Sequence, residues 1–246
     1  MKRILMIIFT IVLFGALVPS AAELPEKVTY LFYIQGEYAG KCVVGIGEDG
    51  DAHVFESTSE IKFEEYKLQI SSRTEIEKES LRPRFFRYEG VRSGMKFEGT
   101  LWTDGDSISA DNALDGEHFK SGERMEGPVY LFENYVSDHQ IVLAWAIDKA
   151  TDPYLHFSVL LPSDFMSFPT VATLDSEIEI ATSPKPTVCN KYAVAMKNSA
   201  PYFTYFDPKT RIPVYMDFPS ATTEVFLESA FKGNLKPKYV KPKEPK

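Results

Sequence analysis

The sequence predicts an all-β, mainly antiparallel protein: a strongly curved sheet or open half-barrel of about a dozen strands, with one amphipathic helix packed on it. Three observations carry this. Polar and apolar residues alternate with period two through most of the chain. Turn residues punctuate that alternation at short intervals. A single capped segment near the middle of the chain has helical period instead.

The N-terminus comes first. Lys2 and Arg3 precede an apolar or near-neutral run over residues 4–18, followed by Pro19-Ser20-Ala21-Ala22. Small residues there match what a signal peptidase reads, so residues 1–22 are expected to be an export signal cleaved after Ala22. The run is about 15 residues, short of the roughly 20 that span a bilayer, which disfavours a retained anchor. No cysteine lies near the cleavage point for a lipid anchor. The expectation is an exported protein, periplasmic or fully secreted.

The first strand, residues 28–34, is apolar on both faces and should lie mid-sheet, covered on both sides. Next, His53, Phe55, Ser57, Ser59, Ile61 and Phe63 share one face, with Glu56, Thr58, Glu60 and Lys62 opposite. Tyr66, Leu68, Ile70, Ser72, Thr74 and Ile76 repeat the pattern against Lys67, Gln69, Arg73 and Glu75. One apolar and one wet face marks antiparallel sheet. Glu48-Asp49-Gly50-Asp51, Asp104-Gly105-Asp106 and Asp207-Pro208-Lys209-Thr210 separate strands, because Asp and Gly tolerate positive φ and Pro fixes it near −65°.

Ser137 and Gln140 have the spacing of a capping box, with Val136 and Ile141 as its hydrophobic staple. Val142, Leu143, Ala146 and Ile147 form a helical stripe, Asp138 and Lys149 suit the dipole ends, and Asp152-Pro153 stops the helix. A helix from Asp138 to about Lys149 is expected on the concave side of the sheet. No linker or repeat divides residues 23–231, which read as one domain.

The formal charge is −8, and without Lys2 and Arg3 it becomes −10. Residues 232–246 hold six Lys against one Glu, leaving the body near −15. An acidic body excludes nucleic acid as a natural partner. The Lys/Pro-rich tail is expected to be extended and mobile, with peripheral contact to an anionic envelope surface as its sharper reading. Cys42 and Cys189 either form a disulfide or remain separate buried thiols. Oligomeric state is not legible.

No catalytic signature is present: G-x-S-x-G, H-E-x-x-H, C-x-x-C, the P-loop and G-x-G-x-x-G are all missing. His53, His118, His139 and His156 are scattered rather than spaced as ligands, so no metal, cofactor or catalytic residue is assigned. Asp49/Asp51, Asp104/Asp106 and Asp111/Asp115 fail the calcium-loop pattern and read as turn chemistry. Paired loop carboxylates in a secreted hydrolase of glycans or peptides remain the competing class, and a scaffold without a pocket a third. The 13 Tyr and 18 Phe cluster at residues 30–33, 85–88 and 202–206. They suit strand faces packing a core, or a concave sheet holding an apolar ligand.

Short motifs recur in a suggestive order. They are Tyr33-Ile34-Gln35-Gly36 with Gly40, Leu81-Arg82-Pro83 leading to Phe85, Phe132-Glu133-Asn134, and Leu160-Leu161-Pro162. Tyr205-Phe206-Asp207 with Arg211 and Tyr215-Met216-Asp217-Phe218-Pro219-Ser220 follow. Across residues 29–227 this resembles a set of uncharacterised secreted bacterial domains whose sheet is similar to the lipoprotein-carrier fold. The resemblance implies a curved antiparallel sheet wrapped on a helix and brings no catalytic residues. Carriers of that fold bind acyl chains, although fold does not fix function. The expected function is an exported, non-catalytic binding or carrier protein for an apolar ligand such as a lipid, or an envelope-assembly factor. Its site should lie between the first strand and the helix, lined by Tyr30, Phe32, Val142 and Ile147, unless those side chains meet in a dry core.

Overall fold

The computed structural model describes residues 24–232 and 235–239. The expected export signal and its cleavage point after Ala22 lie outside them.

Fifteen strands form one sheet. The first limb comprises β1 (Lys27–Ile34), β2 (Glu37–Asp49), β3 (Ala52–Phe63), β4 (Tyr66–Glu77), β5 (Pro83–Arg92), β6 (Met95–Asp104), β7 (Ser107–Leu114) and β8 (Glu117–Arg124). After β9 (Val129–Leu131) and helix α1 (Ser137–Lys149), the second limb runs β10 (Tyr154–Leu161), β11 (Met166–Ile180), β12 (Thr187–Met196), β13 (Tyr202–Asp207), β14 (Ile212–Phe218) and β15 (Thr223–Leu227). A short helix α2 (Glu228–Phe231) follows. Each limb is a meander, and the two join where β15 pairs antiparallel with β1 at the centre. The one parallel pairing among the described strands is β9 with β10.

The predicted alternation is present. Phe55, Ser57, Ser59 and Ile61 of β3 are buried, as are Leu68, Ile70, Thr74 and Ile76 of β4. The three predicted turns fall between strands, with Gly50 and Gly105 at positive φ and the Asp207 carboxylate accepting from Lys209 N–H and Thr210 hydroxyl. The strand count exceeds a dozen for a visible reason. β8 is charged and exposed almost throughout, and β9 is three residues long, so neither carries a period-two apolar signature.

From the β8 edge the chain crosses to the opposite edge before entering α1, which lays the helix across the concave face. There α1 packs against β2, β3, β9 and β14, while β9 also meets β5. Asn112 on β7 donates from Nδ2 to the Pro162 carbonyl at 2.9 Å, tying the two limbs together. The sheet therefore curls around the helix, and every residue from Ser137 to Ile147 is buried. The helix expected to pack on the sheet does so, and it is buried around its circumference up to Ile147, with Asp148 and Lys149 exposed at its end.

The capping box is also absent. Val136 is the N-cap, extended at φ −104°, and no side chain caps the helix. Ser137 is already the first helical residue, one position too far inside to cap. Asp138 instead places its carboxylate in the first turn, where the helix dipole favours an anion. It accepts from the Ser57 hydroxyl at 2.6 Å and from Thr74 at 2.5 Å.

The two-sided character of β1 is explained by a second, smaller core on the outer face. Cys189, Val214, Phe226 and Phe231 pack there, joined by Tyr33, Tyr205, Tyr215 and Leu235. Cys42 belongs to the main core, and both cysteines are free, so the bridge between them does not form. In the Lys/Pro-rich tail, Lys238 and Tyr239 meet the sheet. Their backbone N–H groups donate to Glu224 Oε2, and the Tyr239 hydroxyl donates to Asp217 at 2.8 Å. These two carboxylates face each other across β14 and β15, a like-charge pair that needs such donors. Residues 240–246 lie outside the described residues. No described helix is long and apolar enough to cross a membrane.

Candidate functional site

Two spaces open at the N-terminal end of α1, separated by residues 132–135. Glu133 anchors this segment. Its carboxylate accepts from the N–H groups of Asn134 at 3.1 Å and Ser163 at 3.0 Å, and its own N–H donates to His139 Nδ1 at 2.9 Å. Burial pushes the Glu133 carboxyl above its usual range, opposed by those two N–H donors. The Ser59 hydroxyl donates to the Tyr135 carbonyl, holding Tyr135 at φ 64°. This left-handed conformation, costly for a bulky residue, aims the ring between the two spaces. It stands edge-on to Phe32 at 5.5 Å and tilted against Tyr66 at 6.0 Å.

The larger space is a cleft of about 390 Å³ on the concave face of the first limb. Its walls include Tyr66, Tyr88, Phe97, Leu114, Phe119 and Tyr135, with Arg92 among the lining residues. Tyr88 is fixed by donating to Asn112 Oδ1 at 3.0 Å. Gly99 makes this possible, because any Cβ there would collide with the Tyr88 ring and the Asn112 amide. Phe119 remains 45% exposed. Arg92 lies over the Phe97 ring at 6.0 Å.

The smaller space, about 110 Å³, lies between the start of α1 and strands β1, β14 and β15. Phe32, Phe132, Met216, Phe218 and Val225 make it apolar. Ser137 and Gln140 border it from the helix, and Ser137 Oγ and Gln140 Oε1 are buried without hydrogen-bond partners. Larger spaces of about 660 and 610 Å³ are broad grooves among exposed, charged residues such as Glu60, Glu89 and Lys62. Their volume is greater, but they are more open to solvent than the cleft.

Of the four expected site residues, Phe32 alone borders either concave-side space. Tyr30 is fully buried and donates to the Pro213 carbonyl at 3.1 Å. Val142 and Ile147 belong to the close-packed main core. The helix turns Ser137 and Gln140, not the 142–147 stripe, toward Phe32.

Asp138, His139 and Thr74 form a buried cluster, with His139 Nε2 3.5 Å from the Thr74 hydroxyl. Asp138 and His139 line neither space, and the His139 Nδ1 acceptor is consumed by Glu133 N–H. The cluster satisfies a buried carboxylate. Three of the paired acidic residues are similarly occupied: Asp51 by Arg84, Asp106 by Arg82 and Arg124, and Asp111 by His118 and Lys120. No group of three or more His, Cys, Asp or Glu among the described residues could hold a metal ion.

No protein-family model matches the chain, and no curated protein or solved structure is significantly similar to it. The motif resemblance to secreted domains therefore carries no residue roles here.

Proposed function

We propose that this chain is a non-catalytic binding or carrier protein for an apolar, acyl-chain-like ligand. The observation that carries the reading is the aromatic cleft of about 390 Å³ on the concave face. That volume lies within the ~300–1,000 Å³ typical of small-molecule sites, and the aromatic rings of its wall alternate with the polar residues Arg92, Glu133, Asn134, Ser163 and Asp164. An exposed Phe119 and Leu114 at its edge leave apolar surface that a ligand would cover. Asp51, Asp106 and Asp111 are engaged in ion pairs, whereas Glu133 and Asp164 both line the cleft and are the carboxylates on which the competing hydrolase reading would rest.

The test is uptake of the fluorescent probe N-phenyl-1-naphthylamine, with native mass spectrometry for co-purified lipid. Binding is expected in the wild-type protein and at least tenfold weaker in Phe119→Asp, which alters an exposed side chain and leaves the fold intact. Absence of both probe uptake and lipid, or unchanged uptake in Phe119→Asp, overturns the reading.

A further inference from the structure

Ser137 and Gln140 are three residues apart, so they lie on one face of α1. That face looks into the small cavity. Gln140 is 6% exposed and Ser137 3%, yet Gln140 Oε1 and Ser137 Oγ have no hydrogen-bond partner. The Tyr202 hydroxyl is buried beside the Gln140 side chain, within its hydrogen-bonding reach, and lies behind the cavity wall rather than on it. Its ring stacks on Phe218 at 4.8 Å and tilts against Phe132 at 5.9 Å, both of which line the cavity. Buried polar atoms are normally paired, so two unpaired ones bordering one cavity call for a partner from outside the chain. The rest of the wall is apolar except for Glu133, Asn134 and Thr223, and no cationic side chain lines the space.

We propose that this cavity is a binding subsite for the neutral, hydrogen-bond-donating end of an apolar ligand, an alcohol-type hydroxyl rather than a carboxylate. A carboxamide oxygen accepts only, so the ligand group must donate to Gln140 Oε1. The Ser137 hydroxyl both donates and accepts, so a hydroxyl matches both. A carboxylate cannot donate and would meet Glu133 with no cation to offset it. At ~30 Å³ per water-sized group, 110 Å³ holds a hydroxyl and a few carbons. Tyr135 borders both this cavity and the aromatic cleft, so a longer chain would pass that ring into the cleft. This assignment of head-group class deepens the carrier reading and, for long chains, rests on it.

Short ligands separate the two claims, because 1-butanol fills the cavity without reaching the cleft. Titration of the full mature protein with 1-butanol and with butyrate, followed by ¹H–¹⁵N NMR, should give saturable shifts at the Gln140 side-chain amide with butanol. Butyrate should bind at least fivefold more weakly. Gln140→Leu should abolish the butanol preference while the thermal midpoint stays level or rises, since it replaces an unpaired buried polar group with an apolar one. Equal responses to butanol and butyrate, no shift at Gln140, or a destabilised Gln140→Leu each overturn the proposal. A butanol-selective cavity combined with 1-dodecanol binding no tighter than 1-butanol would instead refute the cleft as the chain's site.

Discussion

Trp145 tests whether α1 is enclosed by the sheet or merely rests on it. At 100° per residue it projects from the face opposite the Val142, Leu143, Ala146 and Ile147 stripe, and a helix with one buried side would leave it in water. It is instead 1% exposed. Its Nε1 donates to the Arg211 carbonyl at 2.6 Å, and the Arg211 guanidinium sits 5.1 Å from the ring centroid. His53 and Phe55 of β3 press on it at 5.0 and 5.7 Å. Trp145→Ala should cost about 3–5 kcal/mol in lost burial and cavity formation. The undonated Arg211 carbonyl adds about 1–3 kcal/mol. Against a total stability of about 5–15 kcal/mol, that loss leaves little folded protein at the low end of the range. Trp145→Phe keeps most of the ring and loses the N–H, so about 2 kcal/mol is expected. For a chain of this size that lowers the midpoint by roughly 4–8 °C. Circular dichroism melting measures both variants. Emission in a Trp102→Phe background isolates Trp145, since Trp102 is 42% exposed. A Trp145→Ala cost within about 0.5 kcal/mol of zero, the range of surface substitutions, or ready quenching of Trp145 by iodide, would refute enclosure.

Two further outcomes are expected. Burial pushes the Cys42 thiol up and the Cys189 thiol up to about 12, so a thiol reagent should find no reactive group in the native protein and two after unfolding. A disulfide-linked peptide in a non-reducing digest would contradict this. Burial also pushes His139 below its ordinary value of 6.5, with Asp138 pulling it back. As pH falls through 6.5 the unfolded chain gains a proton that the folded chain refuses, so this contribution is full above that pH and is lost as pH drops toward the folded value. His53 is lowered by burial too and acts with the same sign. His139→Gln should therefore flatten the fall in urea midpoint between about pH 7 and pH 5, and an unchanged slope would assign the fall to other groups.

The candidate site was less legible than the fold. Tyr66 sat in a recognised strand and Tyr88 in a recognised aromatic cluster, but nothing local says that their rings face one cleft rather than a closed core. Tyr135 gave no such signal. Ser137 and Gln140 did stand out, at a spacing that suits a capping box and equally suits one face of a helix. A one-residue difference in where the helix begins decides between the two. That start is set by the anchoring of Glu133 to Ser163 and of Tyr135 to Ser59, contacts made across the fold.

By itself the sequence determined the β class, the faces of β3 and β4, the turns at Gly50, Gly105 and Asp207, and the place of the single long helix. These are local properties, because period-two alternation, turn residues and a terminating Asp-Pro act within a few residues of themselves. Only the tertiary structure decided that the sheet has fifteen strands, that β15 closes onto β1, and that the helix is covered on every side. The physical reason is that a buried face is legible only where its alternative is polar. Asp138 reads locally only as a partner of the helix dipole, and Ser57 and Thr74, 81 and 64 residues away in sequence, supply the hydroxyls that let its carboxylate lie inside.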